Sequence, residues 1–305
     1  MLVLTVRKSF WASPESDVFP NRVFAPTFAG HSTGRVNTVL LVAKTLVALL
    51  RRRPKLIFVG SAHRLVPLLL VLRRLRILRT KLIVTNQVYF GPRLARFADR
   101  VIVYSRRETE GLSNYVYLPI PADGAFDDVE AHHEDDPYVF SGGGTLRDFA
   151  ALLKAVEGTD VRLIVVTHSP ETLGVAAPPP NCGVLFTMPL QQFLSYAAGS
   201  LFVVVPLRGT DTPHGHTTIA QALSLGKAVV TTRGAAVADY VRDGVEGLLV
   251  EPGDVSGYRN AILRLVRDEH LRRSCEGAAR ARAPEFSYAA FARSIMALCR
   301  DVLSE

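Results

Sequence analysis

Cysteine is scarce in this chain: Cys182, Cys275 and Cys299 are the only thiols among 305 residues. Their spacing fits no metal motif and one is left over from any pairing, which excludes a disulfide framework and points to a reducing cytosol. Long apolar runs are lacking as well. The longest, Leu65 to Leu72, falls far short of the ~20 residues a membrane span needs. The opening MLVLTVRKSF places its charges after its apolar residues, the reverse of a secretory signal. Acids are nearly missing from the first half, where Asp99 is the only one between Asp17 and Glu108.

That last scarcity divides the chain. Residues 1–120 hold 20 Lys/Arg and 5 Asp/Glu, a net +15, whereas residues 121–305 hold 16 and 23, a net −7. Solvated faces usually mix signs, so the first half is expected to meet an anionic surface: phospholipid, lipid-linked phosphate or nucleic acid. The runs RRRPK (51–55) and LRRLRILRTK (72–81) carry nine of these twenty basic residues. No aromatics are interleaved with them, which disfavours nucleic acid. Hydrophobic residues make up 48% of the chain, enough for one large or two ordinary globular domains.

What is present is a repeated alternation of strand and helix. MLVLTV, KLIFVG (55–60), KLIVTN (81–86) and RVIVYS (100–105) read as strands. Helical spacing from Val36 to Leu50 and from Arg64 to Arg79 fills two of the intervals. An acidic stretch, 122–136, reads as a linker. The pattern then restarts with YVFS, VRLIVV, VLFT, LFVVV, KAVVTT and GLLV, with helices between and a final helix from Ser287 to Leu303. The expected fold is α/β: two doubly wound Rossmann-like domains, 1–121 and 137–285, facing across a cleft. Residues 286–305 form a C-terminal helix packing back toward the first domain. Ligands of such sheets bind at the carboxyl ends of the strands.

Two stretches there carry chemistry. SGGGTLRD (141–148) leaves a buried strand through Gly142, Gly143 and Gly144, and predicts a helix from near Thr145, with Thr145 and Asp148 at capping-box spacing. Glycines admit a ligand close to the backbone, free helix amides favour phosphate, and Arg147 adds a guanidinium able to bridge two phosphate oxygens. A tight turn with no ligand fits the same residues. TDTPHGHTTIAQALSLGKAVV (210–230) then opens a second helix near Thr217 and Thr218. Its His214-Gly215-His216 fits a metal site with Asp211, packing or capping histidines, or the mouth of an anion pocket. The two helix starts, on neighbouring strands, are expected to grip one diphosphate.

The segment from His214 to Asp254 resembles the nucleotide-sugar half of retaining glycosyltransferases of the GT-B architecture, the family-4-like group. QALSLGKAVV (221–230) is similar to the family's Glu-Ala-Met-Ala-x-Gly-Lys-Pro-Val-Val, and DYVRDGVEGLLV (239–250) to its following Gly-rich segment. FADRVIVYS (97–105) is similar to the strand that commonly ends the acceptor domain. The resemblance implies transfer of a sugar from a UDP- or GDP-sugar co-substrate with retention, and neither metal nor cofactor. It implies donor contacts at Gly142, Gly143, Gly144, Thr145, Arg208, Gly215, His216, Thr217, Thr218 and Gln221, with Met188 and Leu190 flanking the base. Catalytic roles fall to Arg147, Asp211 and His214. His63 and Asn86 are candidates on the acceptor side.

The chain also departs from the pattern. Gln221 stands where the family's ribose-binding glutamate does, and Pro213 where its first acid does, with Asp211 the nearest acid. The expected activity is glycosyl transfer to a lipid-linked or membrane-proximal acceptor, by a cytoplasmic protein held peripherally on an anionic membrane surface. The rival readings are a sugar-nucleotide epimerase and a degenerate partner subunit that binds without turnover.

Overall fold

The computed structural model describes residues 2–4, 47, 54–60, 65–85, 91–122, 126, 128–209 and 214–305. The chain divides into two compact units, Met1–Leu118 with Phe291–Glu305, and Pro119–Ala290.

The sheet of the first unit is parallel throughout and runs in chain order: β1 (Leu2–Leu4), β2 (Leu56–Val59), β3 (Lys81–Thr85), β4 (Arg100–Val103) and β5 (Tyr115–Tyr117). Its strands are continuous apolar runs because both faces are covered. Ile57, Val59, Leu82, Val84, Val101 and Val103 pack under α1 (Val66–Arg74) and α2 (Gly91–Ala95). The alternate residues Leu56, Phe58, Ile83 and Ile102 pack under the last helix, α8 (Tyr288–Ser304). Strand β5 has three residues and escapes notice in the sequence. The helix expected over 36–50 lies almost wholly outside the described residues.

In the second unit the strands are β6 (Tyr138–Gly142), β7 (Arg162–Thr167), β8 (Cys182–Phe186), β9 (Val203–Val205), β10 (Val229–Thr232) and β11 (Gly247–Val250). All are parallel, in the order β11-β10-β9-β6-β7-β8. The order reverses between β6 and β9, which makes the space beyond their carboxyl ends the switch point of a doubly wound sheet. Helices α3 (Phe149–Val156) and α6 (Val255–Arg267) cover one face with Val139, Leu163, Val204 and Val230. On the other face α4 (Leu190–Gly199), α5 (His216–Ser224) and α7 (Glu269–Arg282) lie with Phe140, Ile164, Val203 and Val229.

The described residues of the acidic stretch form no helix or strand and are pinned along the second unit. His132 donates its amide to Ser195 O and Ser195 Oγ donates to Glu130 O, while Glu134 pairs with Arg162 at 2.7 Å. Its charge keeps it at the surface; backbone bonds keep it in place.

Candidate functional site

The site grows from the loop after β6. Gly143, at φ +108, takes a conformation that only glycine holds without strain, and its amide donates to Val166 O at 3.0 Å. The faces of the three glycines are covered by the protein's own side chains. Phe193 lies on Gly142, the Arg147 guanidinium on Gly143, and the exposed His168 ring on Gly144. Of the three expected glycine amides, that of Gly143 is therefore spent on Val166 O, and Gly142 lies within the sheet, in register with Val166.

The helix does not start at Thr145. Asp148 is the N-cap, accepting from Ala151 N at 3.3 Å, and α3 begins at Phe149. Residues 146–148 stay out of the helix because they pair with the loop after β9: Asp148 N donates to Pro206 O and Arg208 N to Leu146 O, both at 3.0 Å, around an Arg147–Leu207 bridge, with Leu146 in the left-handed region at φ 51. Tertiary pairing overrides the local capping box. The cap also closes this helix start to anions, since a carboxylate already occupies it. Of the two expected helix N-termini, one is therefore taken by Asp148.

The other is open. Gly215, at φ +79, stands at the N-cap of α5 with no side-chain bond to the first turn. Beside it lies Arg147, only 6% exposed. Its Nε donates to Gly142 O at 3.0 Å, Nη1 to Thr145 O at 3.1 Å and Nη2 to Thr218 Oγ1 at 3.0 Å. These are three of the five N–H donors of a guanidinium, and none reaches a carboxylate. Burial lowers its pKa to about 10, so it remains a cation at neutral pH. Among the described residues no carboxylate reaches it, and a buried cation of this kind next to the positive end of a helix is a site prepared for an anion.

Both histidines of the loop stand nearby, with different roles. His216 is 3% exposed and stacks on Tyr240 at 4.5 Å, which in turn stacks on Phe286 at 5.7 Å. Its Nε2 lies 3.0 Å from Ala236 O, which assigns the proton to Nε2 and leaves Nδ1 a buried acceptor with no partner among the described residues. Burial drops its pKa to about 4, so the ring is neutral. Burial and then the Arg147 cation also lower His214. The His216 ring is packing; its Nδ1 is the polar atom left open.

Thr217 is exposed and Thr218 buried in the first turn of α5, with Gln221 buried one turn on. Met188 packs against the core on the α5 face, and Leu190 opens α4 at the surface. Arg208 does not join Arg147. Its Nε lies 3.7 Å from Asp148 Oδ1 and its Nη2 above Gly174, toward the face covered by α3, because the extended pairing sends neighbouring side chains to opposite sides. Asp211 and Pro213, like His63 and Asn86, lie outside the described residues. His168 escaped the sequence reading. A histidine directly after the buried strand VRLIVVT belongs at the carboxyl edge by the rule that selected His63 and Asn86.

Residues 145–268 match the family model described as "Glycosyl transferases group 1". A glycosyltransferase from Rickettsia africae ESF-5 has a similar structure, with a TM-score of 0.72 at 10% identity over 99% of this chain and 98% of that one. HepE from Anabaena, solved in complex with UDP-glucose, gives 0.74 at 16% identity over 99% and 100%. Sucrose-phosphate synthase from Thermosynechococcus elongatus gives 0.70 at 16% over 93% and 83%. No curated protein sequence matches. The fold is that of the GT-B glycosyltransferases, as the motif resemblance implied.

Proposed function

We propose that the protein is a glycosyltransferase that moves a sugar from a UDP- or GDP-sugar, with retention, onto a lipid-linked or membrane-proximal acceptor. The observation that carries this reading is the buried Arg147 cation at the start of α5, which meets no carboxylate among the described residues, inside the segment that matches group 1 glycosyl transferases. The departing diphosphate develops negative charge as the glycosidic bond breaks. Arg147 and the first amides of α5 stabilise that charge without reorganising, because Gly142, Thr145 and Thr218 already hold the guanidinium. Retention follows when the departing phosphate oxygen accepts the acceptor's proton on the face it leaves.

Gln221 offers a carbonyl to the ribose hydroxyls, and Met188 and Leu190 flank the base. The neutral Nδ1 of His216 accepts from a donor hydroxyl, which a protonated ring cannot do. Asp211 and His214 serve the sugar being transferred. Among the described residues no helix is long and apolar enough to cross a membrane, so contact with a lipid-linked acceptor is made at the membrane surface.

A panel of nucleotide sugars tests the reading by thermal shift, since ligand at 100 times its dissociation constant adds ~2.7 kcal/mol. A shift with one donor, with turnover to a product of unchanged anomeric configuration, is the expected result. A shift with no hydrolysis or transfer for any donor and acceptor supports the non-enzymatic partner instead, the reading that Pro213 and Gln221 favour. No shift with any nucleotide sugar refutes both.

A further inference from the structure

The turn that follows α1 presents two aliphatic side chains to solvent, Leu75 at 61% and Ile77 at 68% exposure. They are not loosely held. Leu75 N donates to Val71 O and Arg76 N to Arg73 O, both at 2.9 Å, and Ile77 N and Leu78 N both donate to Leu72 O, with Arg76 in the left-handed region at φ 59. An ordered helix C-terminus thus holds two apolar tips outward.

Beside them is a cavity of about 540 Å³ lined by Arg73, Arg76, Leu78, Arg79, Arg96 and Phe97. Arg73 belongs to the scaffold, since it pairs with Asp99 at 2.8 Å and donates to Phe97 O and Thr80 O. Asp99, the only acid of this stretch, is shared with Lys81. Arg76, Arg79 and Arg96 have no ion pair or hydrogen bond among the described residues, and Arg96 lies over the Phe97 ring at 4.9 Å. Basic residues in the last turn of a helix answer its dipole, which accounts for Arg73 and Arg74. It does not account for three more arginines around a cavity. The group sits at the end of the first sheet where β3 and β4 begin, with Lys81 and Arg100 beside it.

We infer that this turn is the membrane-contacting surface of the first unit. Leu75 and Ile77 enter the boundary of headgroup and acyl chain, and Arg76, Arg79 and Arg96 hold the phosphate of one anionic phospholipid. The chemistry favours a lipid leaflet over nucleic acid, because the exposed tips are aliphatic, whereas single strands need exposed aromatic platforms for stacking. The inference rests on the membrane-proximal part of the proposed function and supplies the residues that part lacks.

Co-sedimentation of the full chain with vesicles decides it. Vesicles of phosphatidylcholine with phosphatidylglycerol are expected to bind, and vesicles of phosphatidylcholine alone to bind weakly. Each basic side chain near an anionic surface is worth about fivefold in partitioning, so Arg76→Gln, Arg79→Gln and Arg96→Gln together weaken binding about 100-fold. Leu75→Ser with Ile77→Ser weakens it about 30-fold, and this loss persists in high salt, which screens only the arginines. All five positions are solvent-facing or line the open cavity, so an unchanged melting temperature confirms that the variants fold. Equal binding to both vesicle types, either variant binding like the parent, or displacement by soluble glycerol phosphate or an oligonucleotide overturns the inference. The nucleotide-sugar melting shift, measured on the same variants, is expected to be unchanged. Its absence in the parent chain removes the transferase reading and leaves the vesicle result standing by itself.

Discussion

Arg147 separates a residue kept for folding from one kept for a ligand, and Arg147→Met tests which it is. Methionine keeps most of the stem's packing and removes the charge. Three hydrogen bonds disappear, to Gly142 O, Thr145 O and Thr218 Oγ1. At ~1 kcal/mol net each, their loss costs about 3 kcal/mol. Against this, the lowered pKa of the guanidinium, about 10 against a usual 12.5, says that the site disfavours the charged form by ~3 kcal/mol. The two terms nearly cancel, and the ligand-free variant is expected to unfold within ~1 kcal/mol of the parent.

Nucleotide binding has no such compensation. A charge-assisted contact to phosphate is worth ~2–3 kcal/mol, so its loss weakens binding about 30- to 160-fold. At a UDP or GDP concentration of 100 times the parent's dissociation constant, ligand stabilisation falls from ~2.7 to about 0.3–0.9 kcal/mol. Urea titrations with and without nucleotide measure both quantities. A variant that loses more than ~3 kcal/mol without ligand, or that keeps the full ligand shift, refutes the reasoning, because the cation would then be serving the fold.

Three further outcomes follow from the same geometry. The folded pKa of His216, about 4, lies below its usual 6.5, so the unfolded chain binds the proton more readily; stability is complete above pH ~6.5 and declines by ~3 kcal/mol as pH falls to ~4. His216→Phe keeps the stack on Tyr240 and should flatten that part of a urea-midpoint-against-pH curve; an unchanged slope assigns the loss to other groups. Thr218→Val removes the hydroxyl that orients Nη2 of Arg147 and should raise the nucleotide dissociation constant about tenfold by calorimetry, whereas a threefold or smaller change means the guanidinium needs no such support. Gly247→Ala drives a methyl into the backbone of Val229 and should cost on the order of 3 kcal/mol or more, while Gly144→Ala meets only the exposed His168 ring, which can swing away, and should stay within ~0.5 kcal/mol. Equal melting temperatures for the two glycine variants would contradict those packings.

The fold was legible to an unusual depth because its strands are short apolar runs separated by turn residues. Each of KLIFVG, VRLIVV and KAVVTT appears as a parallel strand covered on both faces. What went unread was short or relational. YVY is too brief to stand out against its loop. Thr145 and Asp148 have the spacing of a capping box, and nothing local says that residues 146–148 will instead pair with the loop after β9. The neighbours of Arg208 were equally hidden, since alternation along that pairing sends it toward Asp148 and away from Arg147.

Taken by itself, the amino-acid order determined the periodicities, the uneven charge and the motif from Gln221 to Val250, because these depend on residues near one another in the chain. Only the tertiary structure decided that Asp148 closes one helix start while Arg147 lies beside the open one. It alone brought Arg76, Arg79 and Arg96 around a single cavity next to Leu75 and Ile77. Such arrangements depend on which loops pack together and on which polar groups lose their water when they do, and no window of sequence contains both partners.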